Sequence, residues 1–327
     1  MNKIFCLIFI IFFFSCKEKN ITISGEKNPN LKNEIETFLK TKDSTLINYK
    51  IKSISEFNYK DFENDINKKL AEKLDVKDAI YKADFDNNGF EDFLVMGDAY
   101  WCLGRNDESC SFNPLVILNY NQKDSKIILL STNSSEYPVP RIEFVKGKSL
   151  IAIYKNEIID WNEQKISKKP LKKLLEYKFG NFIEYKDSND YDYNIQKIEY
   201  TTSICFGTCP EFEIIIDTTR NATYKAINFN FSDEFSENNF EGMFKTKIKE
   251  EDFSKIIELL NHIDFPYLKD EYHVNRTDDQ TGTFKIYYNF GKYKEISDYG
   301  LQGTKGLELL HNLFFNLRKE QDWKKVK

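Results

Sequence analysis

Residues 283–319 read TFKIYYNFGKYKEISDYGLQGTKGLELLHNLFFNLRK, and this stretch decides the fold class. Its first half predicts strands at 283–289 and 292–297, which form a hairpin about Phe290 and Gly291. Its second half predicts a helix from Thr304 to about residue 319, because leucine and phenylalanine recur at helical spacing. Strands and helices in separate blocks, with no regular βαβ alternation, are typical of an α+β protein.

The chain before this stretch continues the same pattern. Strands are predicted at 195–200, 211–217 and 222–229, and a helix at 252–263. The charged segment KDSNDYDY at 186–193 is the best domain boundary. We therefore predict a C-terminal α+β domain over 194–320.

The N-terminal half predicts a second domain over 31–185. Helical patterns cover 31–39 and 59–74, and the strands that follow are short, with polar turns between them. These strands are predicted at residues 80–84, 92–97, 115–120, 126–131, 141–145, 149–154, 175–179 and 182–185. The expected fold is α+β with two domains of mainly antiparallel sheet, each packed with one or two helices, as suits 327 residues.

The composition excludes two broad classes. A hydrophobic share of 41% provides enough apolar material for packed cores, so wholesale disorder is not expected. A net charge of -5 lacks the basic excess that nucleic-acid binding requires, so no nucleic-acid partner is expected.

The first sixteen residues resemble the signal of a bacterial lipoprotein. Lys3 precedes the apolar run 4–14, which is too short to span a bilayer of ~30 Å and matches the core of a secretory signal. Ser15 and Cys16 follow, as in a lipobox, although Phe13 replaces the usual leucine, a departure known in Bacteroidetes lipoproteins. The alternative is an ordinary signal peptide with an incidental cysteine.

This resemblance implies a location. Residues 1–15 would be removed as a signal peptide, Cys16 would carry the acyl chains, palmitate among them, and residues 16–30 would form a polar tether. No aspartate follows Cys16, so an outer-membrane lipoprotein is expected, held in the membrane by its lipid. The sequence leaves open whether it faces the periplasm or the exterior.

Four cysteines remain in the mature chain, an even number in an oxidising compartment. Pairing of neighbours would join Cys102 to Cys110 and Cys205 to Cys209, with each bond inside one domain. A redox or metal site at residues 205–209 is the alternative, although the C-x-x-x-C spacing differs from thioredoxin-type C-x-x-C. A four-thiolate zinc site would require both pairs to meet across the domains.

One loop carries the spacing of a calcium site. The segment DFDNNGFED at 84–92 places oxygen side chains at loop positions 1, 3, 5 and 9, namely Asp84, Asp86, Asn88 and Asp92. The carbonyl of Phe90 can join them at position 7, and a glycine at position 6 permits the tight turn. The loop resembles those of integrin-like propeller repeats and dockerins, which implies bound Ca²⁺.

The loop departs from an EF-hand in two respects. Position 12 is Val95 instead of a bidentate glutamate, and strands are predicted on both sides. A single copy excludes a multi-bladed propeller. The alternative is a plain hairpin with a type I′ Asn-Gly turn. A bound Ca²⁺ would be structural and weak, as in extracellular modules.

Residues from about 194 to 320 resemble an uncharacterised domain family of bacterial, mostly Bacteroidetes, envelope proteins. The residues that carry the resemblance are CFGTCP at 205–210, the strand 212–216, Tyr224, Thr277, Asp278, Thr281 and DYG at 298–300. The segment CFGTCP is the most specific part of this pattern. The resemblance implies no activity.

The sequence contains no catalytic motif. The three histidines, His262, His273 and His311, do not have ligand spacing, and the glycine-rich segment 300–306 fails the P-loop pattern, which favours Thr304 as a helix cap. The leading hypothesis is a non-enzymatic binding or structural module for an envelope protein or glycan. The alternatives are a hydrolase with carboxylates near Asp278 and Asp298, and a thiol–disulfide protein.

Overall fold

The computed structural model describes residues 29–57, 62–98, 112–130, 138–160, 163–230 and 241–326. Its four α-helices lie within these residues, two in each half of the chain. They are α1 (Pro29–Lys42), α2 (Phe62–Lys73), α3 (Glu250–His262) and α4 (Lys305–Glu320). No helix in the described ranges is long and apolar enough to cross a membrane.

The N-terminal half contains two four-stranded antiparallel sheets and two small strand pairs. Its strands are β1 (Lys50–Ile51), β2 (Ile80–Ala83), β3 (Asp92–Val95), β4 (Gly97–Asp98), β5 (Leu115–Leu118), β6 (Lys126–Leu129), β7 (Val139–Val145), β8 (Lys148–Lys155), β9 (Ile158–Asp160), β10 (Lys165–Ile166), β11 (Leu171–Lys178) and β12 (Asn181–Glu184). The first sheet has the order β2-β3-β5-β6 and the second β12-β11-β8-β7, while β1 pairs with β4 and β9 with β10.

The first sheet is buried on both faces. Its two central strands have the sequences DFLV and LVIL, and every one of these residues is buried. On one face Phe93 packs with Ile35 and Leu39 of α1. On the other face Leu94 belongs to a second core, which the second sheet shares through Ile151. Nearly continuous apolar runs are what a strand covered on both sides requires.

The C-terminal half forms one eight-stranded sheet. Its strands are β13 (Ile195–Thr202), β14 (Glu211–Asp217), β15 (Asn221–Asn228), β16 (Gly242–Lys247), β17 (Glu271–His273), β18 (Thr281–Tyr288), β19 (Lys292–Tyr299) and β20 (Lys324–Lys325). Their order is β17-β19-β18-β13-β14-β15-β16-β20. All neighbours are antiparallel except β17 and β19, which are parallel.

Strand alternation explains how the helices cover this sheet. In β14 the residues Phe212, Ile214 and Ile216 are buried, whereas the residues between them are partly exposed. The buried set packs in one core with α3 and α4, which contribute Leu260 and Phe314 among others. The opposite face of the sheet carries the polar residues.

The two halves meet at β12. Phe182 belongs to the N-terminal core, while its neighbour Ile183 belongs to the C-terminal core. The Glu184 carboxylate accepts hydrogen bonds from the backbone N–H groups of Lys305 and Gly306 at 2.7 and 2.9 Å. The N-terminus of α4 is therefore held by a residue of the N-terminal half.

The α+β class predicted from the sequence is confirmed. The predicted helix start at Thr304 is also confirmed, because its hydroxyl accepts the Leu307 N–H as an N-cap. Helix α1 begins at Pro29, inside the segment predicted as the end of the tether. The two domain ranges stay a prediction.

Candidate metal centre

The loop 84–91 connects two antiparallel neighbours. Ala83, the last residue of β2, pairs with Asp92, the first residue of β3. Between them Asn87 and Gly89 have φ angles of 58° and 88°, a left-handed conformation that asparagine and glycine tolerate better than other residues. The loop therefore folds back on itself, which brings its first and last acids together.

Three carboxylates converge in this loop. One oxygen of each of Asp84, Asp86 and Asp92 lies within 4.8 Å of the others. Among the described residues this is the one group of three or more metal-ligating acids, histidines or cysteines so arranged. The spacing at loop positions 1, 3 and 9 thus brings together the residues that the sequence analysis selected.

The electrostatics of the cluster are unfavourable without a cation. Asp92 is fully buried, and burial, with the added charges of Asp86 and Asp84, raises its pKa to about 6. Burial also raises the pKa of Asp86, and the neighbouring charge of Asp84 adds to the effect. The protein holds these groups together against their mutual repulsion.

Backbone hydrogen bonds hold the carboxylates in place. Asp84 accepts from the N–H groups of Asn88 and Gly89 at 3.1 and 3.0 Å. Asp92 accepts from the N–H groups of Phe85 and Asn119 at 2.7 and 2.8 Å. The loop is therefore preorganised by its own main chain and by a residue from a neighbouring hairpin.

Two predicted ligands have other contacts in the structure. The Asn88 amide nitrogen donates to Asp86 at 2.9 Å, and its oxygen accepts the Phe90 N–H at 2.8 Å. Phe90 would contribute only its carbonyl oxygen, and its ring is 49% exposed. Neither residue belongs to the converged carboxylate group.

Asn119 is a further residue of this site, and the sequence pattern did not indicate it. It follows β5 directly, has a φ angle of 52°, and is buried beside the loop, where its side-chain oxygen accepts from the Asn88 amide. The one available signal was an asparagine at the end of a predicted strand, before the turn at 121–124. The donor set therefore comprises three carboxylates with two amide side chains beside them, a chemistry that suits a hard divalent cation.

The CFGTCP loop is fixed at several points. Cys205 and Cys209 are bonded, with Cα atoms 5.6 Å apart. The buried Gln280 amide donates to the carbonyls of Ser203 and Pro210 at 2.8 and 2.7 Å. Phe206 at the tip is 88% exposed.

The carboxylates suggested for a hydrolase have structural partners. Asp298 is buried and accepts from the N–H groups of Gln302 and Gly303 at 3.2 and 2.9 Å. Asp278 is exposed and accepts from the Thr277 hydroxyl at 3.1 Å. Neither belongs to the group of three converging acids found among the described residues.

Two histidines are buried at positions that no motif indicated. His311 lies between the Tyr200 hydroxyl at 2.8 Å and Asp298 at 3.1 Å. Nε2 of His311 faces the Asp298 carboxylate, and Nδ1 faces the Tyr200 hydroxyl, whose pKa is raised well above its usual value by burial. His262 contacts Asp190 through Nδ1 at 2.9 Å. The contacts of His311 with Tyr200 and Asp298 form a buried hydrogen-bond network in the core.

The remaining predicted positions lie outside the described residues. These are the lipidation site Cys16 and the cysteines Cys102 and Cys110. Their modification and pairing stay predictions.

Comparison with known proteins finds a family match in the C-terminal part of the chain. No curated protein matches the sequence. Residues 196–318 match a family described as Domain of unknown function (DUF6438), which agrees with the resemblance expected for residues 194–320.

Proposed function

We propose that this chain is a non-enzymatic lipoprotein of the cell envelope, and that one Ca²⁺ ion in the loop 84–92 stabilises its N-terminal half. The observation that carries the calcium proposal is the convergence of Asp84, Asp86 and Asp92 to within 4.8 Å.

The chemistry of the loop favours calcium. Ca²⁺ takes six to eight oxygen ligands in flexible geometry, which carboxylates, amide or backbone carbonyls and water can supply. Asp84, Asp86 and Asp92 would supply the charge, and the Asn88 side-chain oxygen, which now accepts the Phe90 N–H, and the Phe90 carbonyl would be the neutral donors of the same loop. Main-chain hydrogen bonds already fix the side chains of Asp84 and Asp92. Binding of Ca²⁺ would therefore cost little additional conformational entropy.

The envelope location is supported by the N-terminal sequence and by the cysteines. A run of apolar residues at 4–14 followed by Ser15 and Cys16 suits a lipoprotein signal. A disulfide between Cys205 and Cys209 suits an oxidising compartment. We infer that Cys16 carries the lipid and that the protein faces one side of the outer membrane.

A thiol–disulfide function is the second candidate. The observation in its favour is that the Cys205–Cys209 bond lies on a loop whose intervening residues are exposed. A reduction potential well above about -300 mV would favour it. The hydrolase hypothesis lacks such support, because Asp278 is exposed on a loop whereas Asp298 is buried against His311.

Thermal unfolding with and without calcium tests the ion site. For a dissociation constant of roughly 10⁻⁴ to 10⁻³ M, about 10 mM Ca²⁺ should add about 1.4–2.7 kcal/mol to the free energy of unfolding. The Tm of the mature chain should rise by roughly 2–4 °C, since the unfolding entropy of a chain of this length is about 0.65 kcal/mol/K. Asp84→Ala should abolish this rise.

The matched control is Asp65→Ala. Asp65 is an exposed aspartate of α2, outside the loop 84–92 and outside the carboxylate cluster. This variant should keep the calcium response. An equal response of wild type and Asp84→Ala, or no response in wild type, contradicts the calcium proposal.

Metabolic labelling tests the anchor separately. Cells given radiolabelled palmitate should label the wild-type protein, and Cys16→Ser should lose both the label and its membrane association. An unlabelled wild-type protein recovered from the cytosol would contradict the lipoprotein proposal.

A further inference from the structure

The eight-stranded sheet has a polar face turned away from α3 and α4. Strand alternation places the buried residues of β13 to β16 against the helices and their neighbours on the other side. A shallow groove of about 900 Å³ crosses this polar face from β13 to β20. It lies on a different sheet from the loop 84–92, so its properties do not depend on calcium.

Lysines dominate the charge of the groove. Lys197, Lys245, Lys247 and Lys324 line it. Lys197 pairs with Glu199 at 2.6 Å. The other three have no ion-pair partner among the residues that the structure describes. With four lysines against the carboxylates Asp217 and Asp322, the groove has a local excess of positive charge in a chain whose net charge is -5.

The strand register places two of these lysines against each other. Lys245 of β16 is the direct cross-strand partner of Lys324 of β20. Lys247 lies two residues further along β16, so its side chain is on the same face. Like charges directly opposite each other destabilise a sheet. An anion bound between these ammonium groups would remove the repulsion.

The other residues that line the groove indicate which class of anion it can bind. Among the described residues the lining includes no aromatic side chain, so this lining offers bases of single-stranded nucleic acid no stacking surface. Its other polar groups are hydroxyl, amide and carboxylate side chains, which hydrogen-bond well to sugar hydroxyl groups. These groups are Asp217, Asn221, Thr223, Thr246 and Asp322.

We propose that this groove binds an acidic polysaccharide. Lys245, Lys247 and Lys324 would contact its anionic groups, either uronate carboxylates or sugar phosphates, and the hydroxyl, amide and carboxylate side chains would contact its sugar hydroxyl groups. The inference adds a ligand class to the proposed envelope protein and stands on different residues from the calcium site.

Binding of defined polymers to the mature chain tests this inference. The probes are oligogalacturonate for the carboxylate, a phosphorylated mannan fragment for the phosphate, a neutral dextran of equal length, and single-stranded DNA. Wild type should bind at least one acidic glycan, with affinity that falls as salt rises, and should not bind dextran. The comparison of the two acidic probes identifies the anionic group.

The key variant is the triple substitution Lys245→Gln, Lys247→Gln and Lys324→Gln. It should weaken acidic-glycan binding about 10-fold, because exposed ion pairs each contribute a small factor. The control replaces three exposed lysines of the other half, Lys123, Lys168 and Lys169, with glutamine and changes the net charge equally. It should bind like wild type.

The Tm without ligand shows whether a lysine substitution impairs folding. Lys245→Gln alone should raise the Tm slightly, since it removes the repulsion with Lys324. Absence of acidic-glycan binding by wild type, equal losses in the triple variant and its control, or DNA binding as tight as glycan binding would each overturn the inference.

Discussion

Replacement of Glu184 by alanine should destabilise the protein by about 2–3 kcal/mol. The Glu184 carboxylate accepts two backbone N–H groups, from Lys305 and Gly306, at 2.7 and 2.9 Å. Hydrogen bonds to a charged group stabilise by roughly 1.5–3 kcal/mol each, and a carboxylate at a helix N-terminus adds about 0.3–1 kcal/mol. We expect less than the sum, because Glu184 is half-buried and water can replace part of the interaction.

Urea denaturation followed by far-ultraviolet circular dichroism measures this loss as a lower midpoint. Glu184→Gln keeps one acceptor oxygen without the charge, so its loss should be smaller than that of Glu184→Ala. Glu213→Ala is the matched control, because Glu213 is a half-buried glutamate on the outer face of β14. If Glu184→Ala and Glu213→Ala differ by less than about 0.5 kcal/mol, the capping argument is refuted.

Three further predictions concern the buried carboxylate, the disulfide and the core. Burial and the neighbouring loop carboxylates raise the Asp92 pKa to about 6, so without calcium the free energy of unfolding should fall as pH rises from about 4 to about 6. A flat Tm profile over this range would contradict it. Cys205→Ser with Cys209→Ser should lower the free energy of unfolding by about 2 kcal/mol in urea, as expected for a short closed loop, and an unchanged midpoint would argue against this. Phe93→Ala should remove about 3–5 kcal/mol, because the ring is fully buried, and a calorimetric loss below about 1 kcal/mol would contradict this packing.

The sequence predicted those elements whose apolar pattern is set locally. Helices α3 and α4 and the hairpin of β18 and β19 were found within a few residues of their bounds, because each has a regular buried stripe or alternation. Strand β16 was missed, since GMFKTK offers a single deeply buried side chain, Phe244. The short strands β17 and β20 exist only through their partners, so local composition could not reveal them.

The residues of the candidate site also divide into those set by a local pattern and those brought together only by the fold. The spacing in one nine-residue loop was enough to select Asp84, Asp86 and Asp92, because their convergence depends on a local turn. Asn119 is 27 residues from Asp92 and reaches it only because β3 pairs with β5. The contact of His311 with Tyr200 spans 111 residues and required the folded sheet.

Strand β12 shows why a charged linker is an incomplete guide to how the two halves cooperate. Alternate residues of a strand point to opposite sides, so Phe182 and Ile183 necessarily enter different cores. The next residue, Glu184, then holds the first turn of α4. An ion bound between β2 and β3 would stabilise the first sheet, which shares a core with the second sheet and its strand β12. It would therefore also stabilise the strand that holds the start of α4. The polar segment 186–193 comes after this junction and also contacts the C-terminal half, since the Lys186 ammonium donates to Asp264 at 2.8 Å and Asp190 lies 2.9 Å from His262.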